Sequence, residues 1–523
     1  MTSLQDKVLD KSDDSELSMY VMTNVIEPIN KSKKELRFII PNEGILSRDS
    51  YLQFEFVGGK DNGFLNIGAG VFSILKNAEL RVGSQRIQSN PNLPIWKSIT
   101  KSYDTPSYRN NYTKYMNGIN TTISPCPVGA TSATAGNPNA GLLQPTGAIP
   151  DPQNMTIQNL PYELTLTTSV ETTPVFSIKL SDLFSMFESV ELPCFLIKNP
   201  IELVLTLNTQ DNGLDNISPD GYGSIGCFTG AEGARADANA TISLNLDSCL
   251  LYSDHLYYSD TRMFQIEESM NDQKGMALLY TDVISVVNSQ PKLGSAASAT
   301  TTNANKRIFQ LPVSNYSIKN VFTCWNCPDY SSSDALKNSV GNFSNSLFGK
   351  YALLNSPRPY SLQLRINDEL FFPQDLVSDS LKFSEAEYVY ASPANLACGL
   401  YSFNGSNNGT AGYNFQANGS GFFPDPTGGA DANYTFWGGI NTARNLTGNL
   451  HFAAVNVSNI YGDNNNDTIL VQQKPIELLV TWYNNEDADL DLNNFSFMEV
   501  VKMFSLNAGE VVITDQVRQI QVQ

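Results

Sequence analysis

Short bursts of alternating apolar and polar residues, broken by turn residues, run the length of this chain. Tyr51-Leu52-Gln53-Phe54-Glu55-Phe56-Val57 has a period of two, the mark of a half-buried strand. Residues 36–40 form a second apolar run. The turn Asn42-Glu43-Gly44 separates the two, which predicts an antiparallel pair. Residues 78–82, the dipeptide Gly83-Ser84 and residues 85–88 predict a hairpin with a tight turn. Further strand-like runs fall at 175–180, 201–207, 241–246 and 254–258, then at 276–287, 308–312, 319–325 and 511–514. Ser181 is positioned to cap a short helix that buries Leu183, Phe184 and Phe187, and no stretch has the period of a long amphipathic helix. The pattern predicts an all-β protein.

Between these runs lie segments without apolar period, at 123–154 and 288–305, rich in Pro, Gly, Ala, Ser, Thr and Asn, which predict surface loops. The longest irregular region, 391–466, carries Phe415, Phe422, Phe423, Tyr434, Phe436 and Trp437. That aromatic content predicts an ordered excursion packed on itself or on a neighbouring copy. Residues 1–35 are charged, hold a short helix start at Asp13-Asp14-Ser15-Glu16-Leu17, and read as an arm before the first strand.

Three pieces of sequence occur twice, in the same order. Pro200-Ile201-Glu202-Leu203-Val204-Leu205-Thr206-Leu207 returns 275 positions later as Pro475-Ile476-Glu477-Leu478-Leu479-Val480-Thr481-Trp482, with five of eight residues identical. Leu80-Arg81-Val82 returns at Leu364-Arg365-Ile366, 284 positions on, and the apolar run ending at Pro41 returns in the one ending at Pro312, 271 positions on. Offsets that drift this little are what loop insertions in a duplicated unit produce. With 523 residues, the chain has room for two cores. The expected division is an arm at 1–35, a first unit at 36–262, and a second at 263–523 that carries the excursion.

Composition narrows the function. There are 52 acidic against 33 basic residues, a net charge of −19, whereas wrapping nucleic acid requires clustered Lys and Arg. Lys31, Lys33 and Lys34 form one small basic cluster, read as a solvated turn; no direct nucleic-acid binding is expected. The segment Met1-Thr2-Ser3-Leu4-Gln5-Asp6-Lys7 lacks a signal-peptide core, and no uncharged apolar run approaches the roughly 18 residues of a transmembrane span. Cytosolic synthesis of a soluble product is expected. Seven scattered cysteines do not suit a disulfide framework, and the sixteen Asn-x-Ser/Thr sites reflect composition rather than glycosylation.

Residues that could do chemistry are few. His255 and His451 lie in different halves, so a histidine-based triad has no second half; His255 in its strand-like run reads as a structural, hydrogen-bonded histidine. Cys324-Trp325-Asn326-Cys327 is a lone CxxC with no second cysteine pair at metal-ligand spacing. The carboxylate pairs Glu267-Glu268 and Glu385, Glu387 read as solvated faces rather than a glycosidase pair. Gly68-Ala69-Gly70 lacks the strand-to-helix context of a phosphate loop. No catalytic, cofactor-binding or metal-binding residue is assigned, and no cofactor is expected.

Several pieces carry a family resemblance through their order and spacing. They are Phe38-Ile39-Ile40-Pro41 with Gly44-Ile45-Leu46, the run from Ser73 to Gly83, and Ile178 through Leu183-Phe184 to Leu192-Pro193 and Pro200-Ile201-Glu202-Leu203. In the second half, Ile366-Asn367-Asp368 through Phe372-Pro373 and Ile476-Glu477-Leu478 correspond. Together they resemble the major capsid proteins of the double jelly-roll lineage of DNA viruses, nearest to those of polinton-like viruses and virophages. The excursion at 391–466 matches no motif of that family.

The resemblance implies two tandem eight-stranded antiparallel jelly rolls with long loop insertions. It implies a homotrimer whose six units imitate a hexamer and tile an icosahedral shell around a double-stranded DNA genome. Implied partners are further copies of the chain, neighbouring capsomers, and penton and minor capsid proteins, with the loops as outward towers and the arm facing inward. The expected location is the virion capsid. A competing reading is a two-domain β-sandwich carbohydrate-binding or attachment protein stacking sugars on Tyr434 and Trp437. A third is a β-rich glycosidase.

Overall fold

The computed structural model describes residues 19–32, 34–57, 63–65, 69–101, 112–118, 120–125, 155–160, 175–189, 191–207, 225–227, 243–272, 276–291, 305–326, 359, 361–377, 381, 385, 389, 453–457, 469–471, 475–482, 492–507 and 509–515. Sixteen strands build its frame. In chain order the first eight are β1 (Tyr20–Ile26), β2 (Glu35–Ile40), β3 (Tyr51–Val57), β4 (Leu75–Val82), β5 (Gln85–Pro91), β6 (Val175–Lys179), β7 (Ile201–Leu207) and β8 (Leu250–Tyr257). The second eight are β9 (Met276–Gln290), β10 (Asn305–Leu311), β11 (Ser317–Asn326), β12 (Ser361–Ile366), β13 (Glu369–Leu370), β14 (Ala453–Asn456), β15 (Ile476–Trp482) and β16 (Leu492–Asn507).

They pair into four main sheets, ordered β1-β8-β3-β6 and β2-β7-β4-β5 in the first half, β9-β16-β11-β14 and β10-β15-β12-β13 in the second. Adding eight to each label of the first half gives the second. The strand orders 1-8-3-6 and 2-7-4-5, all pairs antiparallel, are those of a jelly roll: every chain reversal except the β4–β5 hairpin carries the next strand to the facing sheet, so that eight short strands enclose one core. The chain holds two.

The three echoes coincide in register. Leu203 on β7 lies opposite Phe38 on one side and Leu80 on the other; Leu478 on β15 lies opposite Phe309 and Leu364. All six side chains are buried. Beside them Glu202 lies across from Arg81, and Glu477 across from Arg365. The ion pairs differ between the halves. Glu202 pairs with Arg37 of β2 at 2.5 Å, while Glu477 pairs with Arg365 of β12 at 2.6 Å and Arg81 turns to Glu79. The turn after β4 uses Gly83 at φ 57°, and its counterpart uses Asn367 and Asp368 at φ 52° and 71°, the non-glycine residues that best tolerate the left-handed region.

Several expectations are corrected. The runs at 36–40 and 51–57 are strands, but they do not pair with each other: β2 lies between Asn30–Lys31 and β7, and β3 lies in the other sheet beside β8 and β6. A short connection between two strands predicts a hairpin only when both belong to one sheet, and here the chain crosses the sandwich. Residues 20–26, assigned to the arm, form β1 and pair with β8 along their whole length, Tyr20 opposite Tyr257 through Ile26 opposite Leu251. The excursion at 391–466 contains β14, paired with β11, and the buried Val457 after it; the rest of it, with the aromatics at 415–437, lies outside the described set. The loop expected from 123 begins later, because Asn120–Pro125 pairs with Met155–Leu160. The short helix starts at Leu180 with Lys179 as its cap, two residues before the cap expected at Ser181, and does bury Leu183. Two helices without a clear sequence signal are α1 (Leu93–Lys101) and the acidic α2 (Asp260–Asp272).

The two sandwiches are not packed as independent beads. The core of the first holds Phe38, Phe54, Phe72, Phe184 and Leu203, and also Leu278 and Tyr280 of β9, Phe504 and Leu506 of β16, and Val511. The core of the second takes Leu492, Met498 and Val500 from the other part of β16. The long strands β9 and β16, paired from Met276–Leu506 to Gln290–Leu492, therefore reach both cores.

Candidate assembly interface

The junction between the sandwiches is the best-defined composite site among the described residues. At its centre β5 of the first jelly roll runs beside β9 of the second with a constant offset. The Tyr280 hydroxyl donates to the Ile87 carbonyl, and the Gln88 amide donates to the Thr281 carbonyl at 3.1 Å. The Ser89 N–H donates to Asp282 Oδ1 at 3.4 Å, and the Asn92 amide donates to Ser285 Oγ at 2.8 Å. Every pair is 193 positions apart. The strands lie alongside each other, joined by side chains rather than by a backbone ladder. The polar character of residues 85–92, Gln-Arg-Ile-Gln-Ser-Asn-Pro-Asn, is used in part here, since the Gln88 and Asn92 amides serve this junction.

Asp282 lies under that contact and is buried. It accepts from its neighbour's Val283 N–H at 2.9 Å and from Lys502 Nζ at 2.8 Å. Burial acts against the Lys502 charge, but Asp282 and Asp515, the latter at 3.3 Å, outweigh it and raise the ammonium above its usual value. A charge this deeply placed needs such partners. Beyond it, α1 lays Trp96 edge-on against Phe322 at 5.0 Å and tilted over Phe497 at 5.3 Å. These two phenylalanines are cross-strand partners on β11 and β16, on the outward face of the second sandwich.

A cleft of about 540 Å³ opens between the sandwiches beside this contact, lined by Lys97, Lys101, Asp182, Glu188, Lys319 and Glu499 among others. Burial acts to raise the Asp182 carboxyl, but Lys101 at 2.7 Å, Lys97 and the Tyr112 hydroxyl together hold it below its ordinary value. Burial pushes the Glu499 and Glu188 carboxyls up; Glu499 accepts from the Asn320 amide at 2.6 Å. The charges of either sign are balanced, and the cleft reads as a solvated polar seam.

The residues weighed for chemistry do not converge. His255 is buried; its Nδ1 donates to the Glu43 carbonyl at 2.7 Å, its Nε2 accepts from the Ser253 hydroxyl at 3.2 Å, and burial lowers its pKa, which keeps the ring neutral. Cys324 is buried on β11 as a free thiol with its pKa pushed up by burial. Glu267 and Glu268 are exposed on α2. Glu385 is helical and half-buried, its pKa raised by burial. Lys31 pairs with Glu27 and Asp247, both at 3.3 Å. Ala69 and Gly70 precede a 3-10 turn at Val71–Ile74. His451, Cys327, Glu387, Lys33, Gly68, Tyr434 and Trp437 lie outside the described residues. Among the described residues no group of His, Cys, Asp or Glu has metal-binding geometry, and no helix is long and apolar enough to cross a membrane.

Known structures share the whole arrangement. A chain of the Sputnik virophage solved by cryo-EM matches with a TM-score of 0.55 at 10% identity, over 100% of this chain and 95% of that one. The Faustovirus major capsid protein matches with a TM-score of 0.52 at 7% identity, over 95% and 92%. The chain has the double jelly-roll fold. A chain of the PBCV-1 virus capsid carries the double jelly roll too, with a TM-score of 0.51 at 11% identity over 95% and 97%. No protein family and no curated protein matches the sequence. At such identities the double jelly roll is held by the pattern of core positions, as the paired Leu203 and Leu478 layers illustrate.

Proposed function

We propose that this chain is the major capsid protein of a double-stranded DNA virus. It assembles as a homotrimer whose six jelly rolls form a pseudo-hexameric capsomer, and these capsomers tile an icosahedral shell. The observation that carries the reading is the duplication of one jelly roll into two units locked at a fixed seam, in a fold shared end to end with chains of virus particles. Two rigidly joined units per chain are what a threefold assembly needs to present six similar faces. No catalytic group is required for that role. The partners are then neighbouring capsomers and the penton and minor capsid proteins, and the residues before Met19 are the inward-facing arm that meets the minor proteins. We place the boundary between the units within α2, consistent with a division near residue 262. The net charge of −19 fits a shell that encloses its genome without neutralising it.

Light scattering and negative-stain imaging of the purified full chain test this. A mass near three times 57.5 kDa and a threefold particle with a hexagonal outline are expected. A monomer at assembly concentrations overturns the reading.

A further inference from the structure

The core of the first sandwich is finished by the end of the chain. Beyond Val501, where its pairing with β11 stops, β16 runs on as the middle strand of a ribbon, with β9 on one side and β17 (Glu510–Thr514) on the other. Phe504 lies opposite Leu278 and Ile513, and Leu506 lies opposite Met276 and Val511. Leu278, Tyr280, Phe504, Leu506 and Val511 are buried in the core built on Phe38, Leu80 and Leu203, and Ile513 packs against it. The ribbon is rooted in one unit and buries its apolar face in the other.

Both ends of the ribbon are fixed. At the tip, the Lys198 N–H, just ahead of β7, donates to the Gly509 carbonyl at 3.1 Å. Gly509 has φ 84°, which strains any residue with a Cβ, and a Cβ there would lie 2.6 Å from Lys198 Cγ. At the root, Lys502 reaches Asp282 at 2.8 Å and Asp515 at 3.3 Å, which ties β9, β16 and the residue after β17 together.

The dependence between the cores runs one way. Among the described residues, the second core draws only on positions between Ile284 and Val500, so no side chain of the first unit enters it. The first core takes Leu278 and Tyr280 from the start of the second unit and Phe504, Leu506 and Val511 from its end.

We infer that the ribbon of β9, β16 and β17 is a strap that closes the first jelly roll, and that the unit made second therefore folds first. Domains generally fold in the order in which they are synthesised. Here the N-terminal unit waits, because its core lacks a wall until residues 504–511 dock. A chain that ends before Phe504 leaves that wall open however well its second unit folds. In the capsomer reading, such a chain is kept out of the shell, and the strap acts as a check on completeness before assembly.

Hydrogen exchange read by mass spectrometry on the full chain tests the inference. Phe504→Ala alters a residue of the second unit, yet it is expected to speed exchange on the order of 100-fold in β2, β4 and β7 of the first, with β10, β12 and β15 of the second unchanged. Equal acceleration in both units, or acceleration confined to the second, overturns the inference. Pulse labelling of refolding wild-type chain gives a second measurement that needs no variant to fold. Strands β10, β12 and β15 are expected to gain protection before β2, β4 and β7; protection gained together, or in the reverse order, overturns the inference. Both measurements read folding within one chain, so their outcome is separate from whether the chain forms trimers.

Discussion

The Tyr280 hydroxyl donates a hydrogen bond to the Ile87 carbonyl across 193 positions of chain, and both residues are buried. Burial raises the phenol pKa, so the hydroxyl stays a donor at any physiological pH. Tyr280→Phe keeps the ring in the core of the first jelly roll and strips the Ile87 carbonyl of this partner. An unpaired buried acceptor costs about 1–3 kcal/mol. The expected outcome is a thermal midpoint lower by a few degrees, with the oligomeric state unchanged, measured by calorimetry and light scattering. A midpoint equal to wild type would mean that water or another donor replaces the hydroxyl.

The Glu499 carboxyl gives a pH-dependent prediction. Burial raises its folded-state pKa above the unfolded value of about 4.5. Between those two values the folded state holds the proton more often than the unfolded one, so this group lowers stability as pH rises through the window, and the penalty is complete above it. Glu499→Gln removes the penalty and keeps an oxygen for the Asn320 amide. The variant is expected to melt higher than wild type at pH 7.5, with the difference shrinking as pH falls toward 4.5. Asp182 has the opposite sign: its carboxyl is held low, and its contribution is present above about 3.8 and lost on acidification below it. Asp182→Asn is therefore expected to destabilise at pH 7.5 and to approach wild type in acid.

The thiols give a kinetic prediction. Cys194, Cys249 and Cys324 are free and buried, and burial pushes Cys194 and Cys249 up to about 12 and Cys324 up as well. The thiolate is the reactive form, so both access and ionisation oppose modification. Native protein is expected to leave these three sites unlabelled by iodoacetamide at pH 8 and to label them fully in denaturant. Peptide mapping by mass spectrometry reads each site separately. Rapid native labelling at Cys324 would restore the redox reading of the CxxC motif.

What the sequence made legible follows from where its pattern is redundant. The second-strand, fourth-strand and seventh-strand layers were visible because Leu203 and Leu478 each meet two apolar partners, so the same residue types are demanded twice in one chain. β1 was hidden in a charged arm because neither of its faces is buried in the single chain, and an exposed strand has no alternation to betray it. β13 has only two residues and no buried face, and was equally silent. The pairing of 36–40 with 51–57 failed because periodicity reports that a strand has a buried face, not which sheet it joins. α1 has a strong apolar face, but Pro94 and the β-branched Ile95, Ile99 and Thr100 weaken its helix signal, and its role rests on contacts made by a segment more than 200 positions away. The seam combines residues from both halves, so sequence proximity could not reveal it.

Trp96 is the anchor that joins α1 to the second sandwich, and its removal separates two questions. The side chain is nearly fully buried between the cross-strand pair Phe322 and Phe497. Truncating a buried tryptophan costs about 3–5 kcal/mol, through lost apolar burial and the void left behind. Trp96 touches the second unit from the first, so the cost falls on the docking of the units rather than on either core. The cores keep Phe38 with Leu203 and Phe309 with Leu478. Wild type is expected to unfold in one transition, and Trp96→Ala to lower the thermal midpoint and give two, as the sandwiches begin to melt separately. Trp96→Phe, which restores ring packing on the same pair, is expected to recover most of the loss. A single transition that merely shifts would locate the coupling elsewhere, in β9 and β16, whose residues enter both cores.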